Sequence, residues 1–302
     1  MKKNLLVLIF SVCFSFFNTA QATYILTRQA QLENLRYEPK FPIIDQHIFI
    51  TTSPGQDSAT MIYDLSIFQD IDTIIGNLVI EKSALTNLSG LHGLKVLGEF
   101  HIYDNDELTS LSTLDGPWLA TGYYIQNNAN LKSCGPLSHE MEVDVLKIKN
   151  NPNLKDVTLD LDSVIPTWKN YFVLHIKENQ NLDSIWVLSP NLESTVACWD
   201  NPNLTSIHIG TNHDTLGGVS VQNNGSLQAI TGFQSIDYYG LIWVSNNPLL
   251  NTLCFAQNAF SNQNVLDYQL KNNGQGANSV SEILATDCSD FNTSIKEQWL
   301  GD

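Results

Sequence analysis

Three kinds of chemistry have candidate residues in this chain: paired carboxylates, histidines, and a stripe of rings and lysines. The carboxylates come first, because a coiled sheet can carry a polysaccharide lyase or glycosidase. Such an enzyme needs two or three acids converging from neighbouring turns of chain, often with calcium and a basic residue. One equivalent position reads Asp104, Asn127, Asn150, Glu178, Asp200, Asn223, Asn246, and only Glu178 and Asp200 are neighbouring acids there. Two such carboxylates are more simply solvated turn residues. None of the seven histidines has a metal-ligand spacing such as H-E-x-x-H, and neither a G-x-S-x-G nor a phosphate-cradling glycine loop is present. No catalytic residue, metal ligand or cofactor is assigned, and the chain is read as a non-enzyme.

The rings and lysines fall into two columns. One runs His101, Tyr124, Lys147, His175, Ala197, Ser220, Trp243, and the other Tyr103, Gln126, Lys149, Lys177, Trp199, Gln222, Ser245. Mixed aromatic and basic side chains on one face suit recognition of a protein or glycan. The candidate binding face is therefore Tyr103, Tyr124, Lys147, Lys149, His175, Lys177, Trp199 and Trp243. An ordinary exposed sheet face, with long side chains packed on their neighbours, is the plain alternative.

These columns presuppose elements that repeat. Asn105, Asn128, Asn151, Asn179, Asn201, Asn224 and Asn247 recur at intervals of 23, 23, 28, 22, 23 and 23 residues, each three after an aliphatic residue or, once, Cys198. A fixed period of this size marks a solenoid of stacked units. Each unit opens apolar-x-apolar, as in Phe100-His101-Ile102, so the apolar residues enter a core and their neighbours face out. A turn rich in Asn, Pro, Gly and Asp follows, and then a second apolar segment such as Leu108 with Leu111, or Leu204 with Ile207. An earlier unit at Leu78-Val79-Ile80, with Leu85 and Leu88, fits after losing one residue and its Asn. The asparagines themselves read as a structural ladder, since an amide both donates to and accepts from the peptide groups that a buried corner leaves unpaired.

The stretch Asp70-Ile71-Asp72-Thr73-Ile74-Ile75-Gly76-Asn77-Leu78-Val79-Ile80, continued by Leu85-Thr86-Asn87-Leu88-Ser89-Gly90-Leu91-His92-Gly93-Leu94-Lys95-Val96-Leu97-Gly98, resembles the receptor L-domain family. That family's I-x-G-x-L-x-I and L-x-x-L-x-x-L-x-x-I-x-G segments occur in the ligand-binding lobes of insulin-receptor and epidermal-growth-factor-receptor ectodomains and in fungal and bacterial surface proteins. The likeness covers roughly residues 45 to 255. It implies a right-handed parallel β-helix, related to leucine-rich repeats and used for extracellular recognition. Signalling does not carry over, because the cysteine-rich modules, membrane span and kinase of those receptors are missing, and no ligand-contacting residue transfers. A leucine-rich-repeat horseshoe is the nearest rival, but its next leucine falls two residues after the Asn, where here it falls three after.

The ends and the composition complete the expectation. Lys2 and Lys3, an apolar run from Leu5 to Phe17, and Ala20-Gln21-Ala22 form an export signal over residues 1–22, with cleavage after Ala22. The run is shorter than the ~20 residues a spanning helix needs, so no membrane span is expected in the mature chain. Removing the leader moves the net charge from −16 to −18. So acidic a balance disfavours nucleic acid as a partner, because that needs a basic patch. The chain is thus read as secreted, periplasmic or displayed at the cell surface. It divides into an N-terminal segment over 23–45, a solenoid over 46–255 and a C-terminal cap over 256–302. The fold expected is an all-β solenoid, a right-handed parallel β-helix of about eight ~23-residue rungs with short capping helices.

Segment 23–45 shows no repeat, and Leu65–Ile75 is expected to form a helix capping the first rung. Cys134 and Cys198, three rungs apart at ~4.8 Å per rung, lie too far apart to bridge and read as small buried hydrophobes. Cys254 and Cys288 are expected to form a disulfide in the cap, beside a helix around Val280–Ala285, where the period dissolves into Asn272-Gly274-Gly276. The extra residues around Pro166-Thr167-Trp168-Lys169-Asn170-Tyr171 are either a functional loop or a tolerated insertion. Asn87, Asn203, Asn224 and Asn292 open Asn-x-Ser/Thr glycosylation motifs. Besides a binding module, a polysaccharide-active enzyme and a structural adhesin or spacer remain as alternatives.

Overall fold

A computed structural model of the chain describes residues 22–52, 55–56, 61–112, 114, 120–135, 137–138, 143–160, 172–188, 195–210, 214–233 and 236–289. The leader before residue 22, the inserted loop around Pro166–Tyr171 and the motif at Asn292 lie outside them. The fold is an all-β solenoid of about nine turns with parallel sheets and few helices, consistent with the expected right-handed parallel β-helix.

Alternation of apolar and polar residues builds the principal sheet. Glu99–Tyr103, Val145–Lys149 and Val173–Lys177 each bury their second and fourth residues and leave the other three partly open. Eleven such strands stack in parallel, beginning with Thr23–Leu26, His47–Ile50 and Leu78–Glu81, and ending with Tyr238–Ser245 and Val265–Lys271. Their register is exact from rung to rung. Ile80, Ile102, Ile125, Ile148, Ile176, Cys198, Val221, Val244 and Leu270 form one inward column. A full shift by one residue would turn this column out to solvent, at a cost of about 1.5–3 kcal/mol per side chain, so the pattern pins the register.

Two smaller sheets close the coil. Leu137–Ser138, Asp156–Asp160, Ser184–Leu188, Ser206–Gly210 and Ala229–Thr231 make one, and Ile43–Ile44, Thr73–Ile74 and Lys95–Val96 the other. Between the sheets runs one continuous core, from Leu26 to Ile283. Where rungs meet closely, only glycine fits. Gly232 has φ +97° and its missing Cβ would lie 2.4 Å from the Ile209 carbonyl oxygen.

The coil extends further at both ends than the sequence pattern indicates. Thr23–Leu26 is already a strand of the long sheet, although segment 23–45 shows no repeat. The 3-10 helix Ser66–Asp70 is not an end cap. It lies within a rung, between His47–Ile50 and Thr73–Ile74, where it buries Ile67 and Phe68. At the N-terminal end the helical elements are Gln29–Glu33 and Asn34–Tyr37, which bury Leu32 and Leu35. At the other end Val265–Lys271 adds a further strand where the period had looked dissolved, and its Tyr268 and Leu270 pair with Ile242 and Val244. The helix Val280–Ala285 and the Cys254–Cys288 disulfide are both present, and Cys134 and Cys198 are free and buried.

Candidate functional site

The corner after each long-sheet strand fixes what faces in and what faces out. Lys82, Asp104, Asn127, Asn150, Glu178, Asp200, Asn223, Asn246 and Asn272 all have φ between 47° and 59°. This left-handed conformation is adopted most readily by Asn and Asp among residues with a side chain, which explains the composition of that position. It turns the chain so that the next residue, the ladder asparagine, points into the coil.

All seven predicted ladder asparagines are buried, at 0–1% exposure. In the six after Asn105, each side-chain oxygen accepts from the backbone N–H of the asparagine one rung earlier. Asn128 accepts from Asn105 N at 3.1 Å and Asn179 from Asn151 N at 3.0 Å. Each amide nitrogen donates to a carbonyl of the preceding rung, as Asn151 Nδ2 does to Ile125 O at 3.1 Å and Asn201 Nδ2 to Ile176 O at 3.1 Å. The ladder runs further than its asparagine period. Ser83 occupies the first position, giving its N–H and hydroxyl to Asn105 Oδ1, and Asn273 forms an eighth asparagine rung by accepting from Asn247 N. A second, exposed ladder joins corner residues, with Asn150 donating to Asn127, Asn223 to Asp200, Asn246 to Asn223 and Asn272 to Asn246. The doubled Asn-Asn and Asp-Asn pairs carried its signal. Asn224 is buried in the inner ladder, so its glycosylation motif is closed in the folded chain, whereas Asn87 and Asn203 are exposed.

The outward columns align as the offsets indicate: His101, Tyr124, Lys147, His175, Ala197, Ser220, Trp243 in one, and Tyr103, Gln126, Lys149, Lys177, Trp199, Gln222, Ser245 in the other. Along them the rings form two groups. The His101 and Tyr124 rings stack at 4.5 Å and 8°, and both contact Glu99, at 2.9 Å from His101 Nε2 and 3.3 Å from the Tyr124 hydroxyl. The bond with His101 holds the Glu99 carboxyl below its usual range, against burial that works the other way. Tyr103 lies opposite Glu81 in the neighbouring strand, and its phenol is pushed up by burial and then by its hydrogen bond to Glu81.

The second group is basic. Lys147 lies opposite His175, and Lys149 opposite Lys177. Glu178 bridges the latter pair, 3.3 Å from each ammonium nitrogen. Burial raises the Glu178 pKa, but hydrogen bonds from Lys177 and Lys149 outweigh it and leave the carboxyl below its ordinary value. His175 is lowered to about 4, first by burial and then by Lys147 and Lys177, so the ring is neutral near pH 7. Trp199 tilts over His175 at 5.4 Å, and its indole N–H donates to Ser220 Oγ at 2.8 Å. Trp243 stands opposite Ser220, two rungs beyond Trp199 and in the other column.

One cluster was missed. On the second sheet the Trp186 and His208 rings stack at 3.9 Å and 18°, and His208 Nδ1 lies 2.9 Å from Thr231 Oγ1. His208 is 6% exposed and burial lowers its pKa. Thr158, Trp186, His208 and Thr231 share a column one residue after the inward aliphatic of each second segment. The same outward rule applied to that segment would have found them.

Among the described residues no group of three or more His, Cys, Asp or Glu is placed to hold a metal ion, and no helix is long and apolar enough to cross a membrane. Comparison with protein-family models, with curated proteins and with solved structures finds no match for this chain.

Proposed function

We propose that the protein is a recognition module, acting outside the cytoplasm, that binds a protein or glycan through the outward face of its long sheet. The observation that carries the reading is the basic group. In a chain of net charge −16, Lys147, Lys149 and Lys177 stand on two neighbouring strands, with Lys149 directly opposite Lys177. Glu178 offsets the repulsion between Lys149 and Lys177, and with Lys147 beside them the group still forms a locally basic surface on an acidic chain, which favours a ligand of complementary charge. Half-buried rings on either side, His101 with Tyr124 and His175 with Trp199, supply flat apolar surface.

The leader-like first 22 residues support export, and the likeness to receptor L-domains supports extracellular recognition. The polysaccharide-cleaving alternative has less support, because Glu178 is charged and held by two lysines, and Asp200 accepts from Asn223. Release of unsaturated or reducing sugars from a polysaccharide panel would favour it.

The test is a binding screen of the purified protein against extracellular glycans and envelope or host proteins, followed by the triple variant Lys149→Glu, Lys177→Glu, Trp199→Ala. Binding should fall by about tenfold or more, with the circular dichroism of the wild type retained. A partner bound equally well by the triple variant would sink this assignment of the face.

A further inference from the structure

The coil ends in an open strand. Val265–Lys271 is hydrogen-bonded to Tyr238–Ser245 on one side, and among the described residues no strand pairs with its other edge. Tyr268 and Leu270 continue the inward columns of Ile242 and Val244, which are fully buried. With no rung stacked above them, Leu266 is 74% and Tyr268 53% exposed. A long edge that is apolar on one face is a template for pairing with another strand. The two ends of the coil are not alike. The first strand, Thr23–Leu26, also pairs on one side only among the described residues, but its inward Leu26 is buried and the short helices that follow it bury their own Leu32 and Leu35.

The asparagine ladder shows which kind of partner this edge suits. It is closed within the chain: Asn278 Oδ1 accepts from the Asn273 N–H at 2.7 Å, the place that the asparagine of a next rung would take. A further parallel rung of the same kind therefore finds its corner already satisfied, while the strand edge itself stays open.

We propose that this edge is a homodimer interface, in which two copies pair antiparallel about a two-fold axis midway between their Gln269 residues and their long sheets become continuous. Registers that keep the apolar residues of both copies on the core side differ by steps that preserve the alternation, so few are available. The one centred on Gln269 sets Asp267 opposite Lys271 of the partner subunit, and by symmetry does so twice. It also sets Tyr268 opposite Leu270 of the partner subunit. Centring on Tyr268 instead loses both ionic pairs. Asp267, Gln269 and Lys271 are all exposed in the single chain and are available for this pairing.

Light scattering and sedimentation equilibrium of the full chain, with the leader processed, test the proposal through two variants, Asp267→Lys and Lys271→Asp. The wild type should dimerise. Each variant alone faces its own like charge twice and should dimerise about tenfold more weakly, while an equimolar mixture of the two regains the dimer as a heterodimer. Both positions are exposed on the last rung, so unchanged circular dichroism and melting confirm that the coil is intact. A wild type that is monomeric throughout, variants that dimerise like the wild type, or a mixture that fails to recover would each overturn the proposal. So would a wild type that dimerises only after residues 290–302 are removed, because the tail would then be the occupant of the edge.

Discussion

Replacing Asn179 by alanine tests the central claim about the interior. Asn179 Nδ2 donates to Ile148 O at 3.2 Å, Lys177 O at 3.1 Å and Asn201 Oδ1 at 3.2 Å. Its Oδ1 accepts from Asn151 N at 3.0 Å and Asn151 Nδ2 at 3.3 Å. Alanine deletes all of these and strands at least two buried groups, the Asn151 N–H and the inward side of the Ile148 carbonyl. At about 1–3 kcal/mol for each unsatisfied group, the loss is about 2–6 kcal/mol. That is a large share of the ~5–15 kcal/mol that holds a typical domain together. The control is Asn223→Ala on the exposed ladder, which loses bonds to Asp200 and from Asn246 where water can replace them and puts alanine at φ 59°, and should cost about 1–2 kcal/mol in all. Urea unfolding followed by circular dichroism reads both. Because rungs couple only to neighbours, a break at Asn179 should also lower the m-value as the halves unfold separately. Asn179→Asp should be at least as damaging as alanine, since a buried carboxylate accepts but cannot donate. If Asn179→Ala costs no more than Asn223→Ala, with m unchanged, the ladder is not the fastening described above.

Three further outcomes are expected. Cys254→Ser with Cys288→Ser opens a loop of sequence separation 34 and should lower stability by about 3–4 kcal/mol in the chain-entropy model, read by denaturant titration against the oxidised wild type. Gly232→Ala forces φ +97° on a residue with a Cβ and drives that atom to 2.4 Å from Ile209 O, so destabilisation of about 2 kcal/mol or more is expected in thermal melts. His175, lowered to about 4 in the fold, has an ordinary unfolded value near 6.5, so the unfolded chain binds the extra proton between these values. Stability should then fall as pH drops from about 6.5 towards 4, by ~3 kcal/mol at most. His175→Gln should remove this part of the slope, and ring proton shifts in NMR should show the low titration point.

What the sequence discloses and what it hides follow from the same physics. Seven rungs were legible because each must repeat an aliphatic pair, a left-handed corner and a buried amide at one offset, and any departure would break contacts with two neighbours. Terminal rungs have only one neighbour, and towards both ends the repeat relaxes. Thr23–Leu26 has no asparagine, Ser83 does an asparagine's work with a hydroxyl, and Asn273 is displaced from its expected spacing by the longer helical turn Cys254–Ser261. The disulfide was legible because Cys134 and Cys198 are held at fixed heights in the coil and cannot meet. The columns of the face were legible as positions, since alternation fixes direction. Their grouping was not, because whether His175 meets Trp199 or Glu178 bridges two lysines depends on rotamers that no spacing reports.

That separation of position from content has a consequence for the face. The buried amides that fasten the coil lie on the inward side of the corner, and the residues of the outward columns contribute packing and a few exposed-side bonds between adjacent rungs, such as Trp199 with Ser220 and Lys149 with Glu178. The outward columns are therefore free to change without loss of the fold, as the mixture of Lys147, Ala197, Ser220 and Trp243 in one column already indicates. Substitutions such as Trp243→Ser or Lys147→Gln should cost less than about 1 kcal/mol each, and should add nearly independently because they stand several rungs apart. Thermal melts of the singles and the double would check this. A double variant that loses much more than the sum would mean that the face is itself part of the fastening, and a recognition surface could not then have diversified on it freely.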